Sequence, residues 1–266
     1  NKKQLQHDLN EFVKFFNGKQ IEQQSGKEIK KGDVYQVTKF KDTDLNKLAF
    51  WNATGSGKTL LMHVNIKQYL HYAHKHTKGH DSKILLITPN EPLSQQHLLD
   101  FKLSGIPANI FTKNQSGVFS GREVEIIEVS KLSDESKGKT VAVDSFETQN
   151  LVLVDEGHGG MSGDQWKRFR DQLSTTGFAF EYSATFGQAI SASDKKKKED
   201  LTQEYSKSIL FDYSYKYFYE DGYGKDYSKN LSPNLIKYLI RRGSREKKES
   251  RWLFWNISDR HLYFPF

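Results

Sequence analysis

The sequence predicts an α/β fold, a mostly parallel sheet with helices on its faces, and three observations carry that reading. Short apolar runs alternate along the chain with stretches of helical period, the pattern left by strands joined through crossover helices. A glycine-rich loop, Asn52-Ala53-Thr54-Gly55-Ser56-Gly57-Lys58-Thr59, lies between an apolar run and an amphipathic stretch. An acidic pair, Asp155-Glu156, closes a second apolar run, Leu151–Val154.

The elements follow in order. Leu5, Leu9, Phe12, Val13 and Phe16 fall at helical spacing and predict an N-terminal amphipathic helix over 4–17. The polar stretch 20–32 reads as loop, and Tyr35 and Val37 look strand-like on either side of Gln36. Strands are expected at 48–52, 84–88, 109–112, 123–129, 151–155 and 178–183, and helices at 60–74 and 91–103. Four consecutive lysines, Lys195–Lys198, read as a solvated loop. Beyond Ile209 tyrosines crowd the chain from Tyr213 to Tyr227; a strand and turn packed at the domain edge explains them better than base stacking does. Residues 241–266, basic and then aromatic, have no clear period.

Composition bounds the partners. The 266 residues suffice for one large α/β domain with appendages, and the net charge of +7 favours a polyanionic partner. No apolar run approaches the ~20 residues of a membrane span, so a cytoplasmic protein without a membrane partner is expected. The absence of cysteine excludes disulfides, zinc-thiolate sites and iron–sulfur clusters. No signal or transit peptide is visible, and the start at Asn1 rather than Met fits a processed, trimmed or internal beginning.

The two motifs carry chemistry. In the loop, Thr54, Gly55, Ser56 and Gly57 let backbone N–H groups turn around phosphate oxygens, while a helix beginning near Lys58 aims its positive end at them. Lys58 then reaches the outer phosphates and Thr59 offers a hydroxyl to Mg2+, as a nucleoside triphosphate requires. At the end of its strand Asp155 would hold the metal ion through water, and Glu156 would orient and deprotonate the attacking water. This division of labour needs the two motifs side by side, as they are if their strands are neighbours.

Motif by motif, the chain resembles the superfamily-two helicases and nucleic-acid translocases of the DExH type. Asn52–Thr59 is similar to motif I, Asp155-Glu156-Gly157-His158 to motif II, and Ser183-Ala184-Thr185 to motif III; Thr88-Pro89-Asn90 resembles motif Ia. The likeness covers roughly residues 45–190, the first of two RecA-like domains. Asn52 stands where RNA-directed DEAD-box proteins usually have Ala, and this form is similar to the motor subunits of type I and type III restriction enzymes.

The resemblance implies an N-terminal lead-in over 1–44, a RecA-like ATPase domain over 45–212, and a 213–266 segment that links to, or begins, a second such domain. It implies ATP and Mg2+ as ligands and double-stranded DNA as the nucleic acid. Methyltransferase or specificity subunits of a restriction complex would be the protein partners. It further implies nucleic-acid contacts at Pro89 and Asn90, coupling through Ser183, Ala184 and Thr185, and a role for His158 in linking hydrolysis to movement. The arginine-rich motif of the family's second domain has no counterpart after Thr185, so weak hydrolysis by this chain alone is expected. An RNA helicase of the DExH type, or a nucleotide- or DNA-binding fragment without turnover, remain the alternatives.

Overall fold

A computed structural model describes residues 1–24, 35–76, 83–112, 123–134, 140–156 and 163–224. In chain order the elements are α1 (Lys2–Gln24), β1 (Lys47–Asn52), α2 (Lys58–His76), β2 (Ile84–Thr88), α3 (Glu91–Leu103), β3 (Ala108–Ile110) and β4 (Val124–Glu128). Then come β5 (Leu132–Ser133), β6 (Val141–Ala142), β7 (Leu151–Asp155), α4 (Gly163–Leu173), β8 (Phe178–Ser183), α5 (Phe186–Ser191), α6 (Lys195–Ser208), β9 (Ile209–Tyr213) and α7 (Tyr215–Glu220). Seven strands form one sheet in the order β3-β4-β2-β7-β8-β1-β9, every pairing parallel, while β5 and β6 pair apart from it.

The all-parallel sheet explains why its central strands read as unbroken apolar runs. β2 and β7 are buried at every residue, because helices cover both faces. On one face Met62 and Ile66 of α2 and Phe101 of α3 pack against Ile84, Leu86, Leu151 and Leu153. On the other, Trp166, Phe169 and Leu173 of α4 pack against Leu85, Ile87, Val152 and Val154. Successive residues of a strand thus feed opposite cores, as a period of two demands.

Three expectations are corrected. The lysine run is not a loop: it forms the first turn of α6, where Asp194 caps the helix by accepting from the Lys197 N–H at 3.0 Å. Tyr205, buried against Phe186, supplies the packing that holds this helix on the sheet. Residues 35–41 do not join a strand, and 20–24 continue α1 rather than looping.

The extended backbone of 35–40 is instead paired by side-chain amides. Asn17 bonds both N–H and C=O of Val37, at 3.0 and 2.9 Å; Asn10 accepts from the Phe40 N–H at 2.6 Å; Gln203 of α6 bonds Thr38 and Gln36. Side-chain amides thereby satisfy groups that a neighbouring strand would otherwise satisfy. This polar docking also explains α1, in which Val13 is buried but Leu5 and Phe12 of the anticipated apolar stripe are exposed.

The aromatic stretch packs largely on itself. Phe218 meets Tyr213 edge-on and stacks with Tyr223, and the Tyr213 hydroxyl donates to Asp221 at 2.6 Å. Tyr227, with the whole of 241–266, lies outside the described residues.

Behind the site a cluster of charges ties four elements together. Arg170 of α4, fully buried, donates to Glu181 of β8 and, at 2.9 Å, to Glu204 of α6; Glu204 also pairs with Lys47 of β1 and Lys167 of α4. Burial alone would raise the Glu204 carboxyl, but the charges of Arg170, Lys47 and Lys167 together outweigh it and hold the group well below the carboxylate range. Burial, followed by the Arg170 charge, pulls the Lys47 ammonium below its ordinary value. Because the folded-state pKa of Glu204 is depressed, its stabilisation is present above the ordinary value of 4.5 and is lost as pH falls below it.

Replacing Arg170 by Met leaves Glu181, among the described residues, with the Tyr205 hydroxyl as its hydrogen-bond partner, at 3.1 Å. A loss of about 3–5 kcal/mol of unfolding free energy is expected in urea titrations near neutral pH. A loss below about 1 kcal/mol would show that the cluster contributes little to the fold.

Candidate nucleotide-binding site

The glycine-rich loop joins β1 to α2 at the carboxyl edge of the sheet, where open parallel sheets place their ligands. Gly55 and Gly57 both have positive φ, 83° and 93°. An added Cβ would meet no atom at either position, so the demand for glycine is one of backbone conformation rather than space. The Ser56 N–H and hydroxyl both close back on the Ala53 carbonyl, at 3.1 and 2.7 Å, and the Ala53 N–H donates to Tyr213 of β9 at 2.8 Å. Thr54 and Gly55 are exposed on the loop, and α2 begins at Lys58, with Thr59 half-buried in its first turn.

The strands that carry the two motifs are not neighbours. β8 lies between β1 and β7, so contact has to be made across it. Lys58 makes that contact: its ammonium pairs with Glu156 and lies 3.8 Å from Asp155 Oδ1. The intervening strand supplies the third component. Ser183 Oγ donates to Glu156 Oε2 at 2.9 Å, and the Ala184 N–H donates to Oε1 at 3.3 Å. The Thr185 N–H in turn donates to Ser183 Oγ at 3.0 Å, so the Ser-Ala-Thr turn forms a cradle for one carboxylate.

Glu156 has a φ of 51°, the one positive value at a non-glycine among the described residues. A left-handed glutamate costs of order 1–3 kcal/mol and persists where the surroundings over-determine it, as the cradle and the bond from its own N–H to Tyr182 O, 3.0 Å, do here.

Asp155 is held from the other side. Its Oδ2 accepts from Nε2 of His97, a buried residue of α3, at 2.9 Å. Its Oδ1, also buried, has no hydrogen-bond partner among the described residues. That orphaned oxygen suits a metal ion or its water, and Mg2+, which keeps several waters and takes few protein ligands, fits a donor set of one carboxylate and the Thr59 hydroxyl.

Pro89 and Asn90 follow β2 at the same edge of the sheet. Asn90 is exposed and caps α3, accepting from the Leu93 N–H at 3.0 Å. Gly157 and His158 lie outside the described residues. His97 escaped the motif reading, although its place with Ser94 and Phe101 on the buried stripe of α3 marked it as a polar residue on an inward face.

A parallel sheet whose glycine loop and acidic strand end converge through one lysine defines a P-loop nucleotide-binding domain of the RecA-like type. Residues 26–188, more than half of the chain, match the family described as type III restriction enzyme, res subunit (ResIII), and the chain belongs to that family. It is a helicase-type motor domain, the first RecA-like domain of the superfamily-two pattern. No curated protein matches it.

Among solved structures it is similar to the UvsW helicase from bacteriophage T4, at 15% identity and a TM-score of 0.42, over 64% of this chain and 54% of that one. It is also similar to arterivirus nonstructural protein 10 (helicase) in a complex with DNA, at 14% identity and a TM-score of 0.32, over 53% of this chain and 29% of that one. The chain thus spans about half the length of the first and under a third of the second. Among the described residues no helix is long and apolar enough to cross a membrane.

One hydrogen bond fixes the helix behind the loop to the sheet. Asn65 of α2 donates to the Tyr182 hydroxyl at 2.8 Å, both residues buried. Burial pushes that hydroxyl far above its ordinary pKa despite the bond, so it stays protonated. Tyr182→Phe would leave the Asn65 amide without an acceptor. A stability loss of about 1–3 kcal/mol is expected by urea unfolding, and an unchanged midpoint would show that the amide finds another partner.

Proposed function

We propose that the chain is the ATP-hydrolysing half of a DNA translocase or helicase motor, serving a restriction or other defence system in the cytoplasm. The observation that supports this best is the reach of Lys58 to Asp155 and Glu156 across β8, with the Ser183 cradle holding Glu156. The family match supports the restriction setting.

In this mechanism the backbone of Thr54–Gly57 and the amino end of α2 wrap the phosphates, and Lys58 turns from the carboxylates to the outer phosphate oxygens. Thr59 and Asp155 would hold Mg2+, which would neutralise phosphate charge there. Glu156, freed of the lysine but still held by Ser183 and Ala184, accepts the proton of the water that attacks the terminal phosphorus. The bond to the leaving diphosphate breaks as the new bond forms.

The cradle gives coupling a physical route. Any displacement of Ser183, Ala184 or Thr185 displaces the general base, so movement of a facing domain and proton transfer share one set of bonds. His158, two residues after Glu156 in the sequence, would take part in that coupling. Pro89 and Asn90 would contact the phosphate backbone of duplex DNA. Methyltransferase or specificity subunits would assemble on the complete motor. An arginine from a second domain, worth on the order of a thousandfold or more in related hydrolases, would bring turnover to its full rate.

Two substitutions separate binding from chemistry. Lys58→Ala should abolish ATP binding or turnover while circular dichroism stays native, because the outer phosphates lose their counter-charge. Turnover equal to wild type in the full-length motor would sink the assignment. Glu156→Gln keeps the shape and removes the base, so ATP should bind with wild-type affinity while hydrolysis falls by about 10²–10⁴-fold. Wild-type turnover in that variant would place the base elsewhere.

A further inference from the structure

We propose that His97 is a positioning residue for the metal-side carboxylate, an inference that rests on the reading of Asp155 as the Mg2+-holding acid. His97 lies on the buried stripe of α3, where an apolar side chain would pack equally well against Phe101, whose ring centroid is 6.2 Å away. It is almost fully buried, and its Nδ1 has no partner among the described residues. Burying a polar ring there disfavours the folded state unless its other nitrogen makes a specific bond. That bond is the donation from Nε2 to Asp155 Oδ2, at 2.9 Å.

The helix that carries the imidazole is itself fixed to the sheet. Asn90 caps it, and Ser94 Oγ lies 2.6 Å from Thr88 Oγ1 at the end of β2. Phe101, one turn further on, stacks at 4.5 Å with His63 of α2, and His63 Nδ1 bonds Ser104 Oγ at 2.7 Å. Both helices that flank the site therefore hold the ring in place. With Oδ2 occupied by His97, the oxygen that carries no hydrogen bond is Oδ1, the one nearer Lys58. The imidazole thus selects which oxygen of Asp155 faces the nucleotide. Partners of this kind orient a ligating carboxylate, and their loss typically weakens metal binding about 10–100-fold.

The test is Mg2+ titration of the full chain with a fluorescent, non-hydrolysable ATP analogue, in parallel for wild type, His97→Phe, His97→Gln and Asp155→Asn. His97→Phe should raise the half-saturating Mg2+ concentration about tenfold, leave analogue affinity in EDTA unchanged, and be partly rescued by His97→Gln, whose amide still donates. An unshifted Mg2+ midpoint in His97→Phe, or an equal loss of affinity in EDTA, overturns the proposal, since packing alone would then account for the residue. Asp155→Asn separates the two readings. If it leaves the midpoint unchanged, the nucleotide-site assignment fails; if it shifts the midpoint and His97→Phe does not, only the role of His97 fails. Should His97→Phe not fold, long-range 15N–1H spectra of wild type decide. The His97 Nε2 resonance must move when Mg2+ is added to the analogue-bound protein, and an unmoved resonance overturns the proposal.

Discussion

Lys58 brings one positive charge to a point where two carboxylates converge, and the sheet is arranged around that convergence. The lysine stands on the first turn of α2, behind β1, while Asp155 ends β7, two strands away, and Glu156 follows it. The intervening β8 ends in Ser183, which with the following Ala184 bonds the carboxylate that Lys58 pairs with. Two strand ends and one helix start therefore meet through a few atoms. The positive φ of Glu156 fits this picture, since a strained backbone is tolerated where several bonds fix the same side chain.

The elements that carry those residues are held by polar as well as apolar contacts. Two apolar cores sandwich the sheet, but β8 also bears Glu181, buried beside Arg170, two residues before Ser183. Breaking such a pair leaves a buried charge without a partner, whereas the intact cluster joins β1, β8, α4 and α6. At the other end of the chain, Asn10, Asn17 and Gln203 hold 35–40 in an extended form without a neighbouring strand. Both solutions use long-range side-chain bonds in places where a simpler fold would use packing or a ladder.

Much of this was legible in the sequence, and the limits have physical causes. The six expected strands all form, and β2 and β7 were the plainest of them, because fully buried parallel strands leave apolar runs that helices rarely imitate at that length. The Gly55–Lys58 turn and the acidic strand end were readable because each is a local pattern with its own chemistry. Strand order was not: nothing local states that β8 separates β1 from β7, and the adjacency of the two motifs had to be achieved across it. The lysine run misled because its helix is fixed by the Asp194 cap and by the distant Tyr205, not by the run itself. The partners of His97 and Arg170 could not be read for the same reason, since a partner 58 or 11 residues away in sequence is set by topology alone.

In the proposed function Lys58, Asp155 and Glu156 form one nucleotide-hydrolysis site. Its most direct test is a crystal structure of the chain with ADP, beryllium fluoride and Mg2+. The fluoride mimic of the terminal phosphate is expected at Lys58, with Mg2+ beside Asp155 and Thr59, and with Glu156 still bonded to Ser183 while facing the mimic. A nucleotide bound away from the 54–59 loop, or one bound there with Lys58 still paired to Glu156 and distant from the mimic, would contradict it.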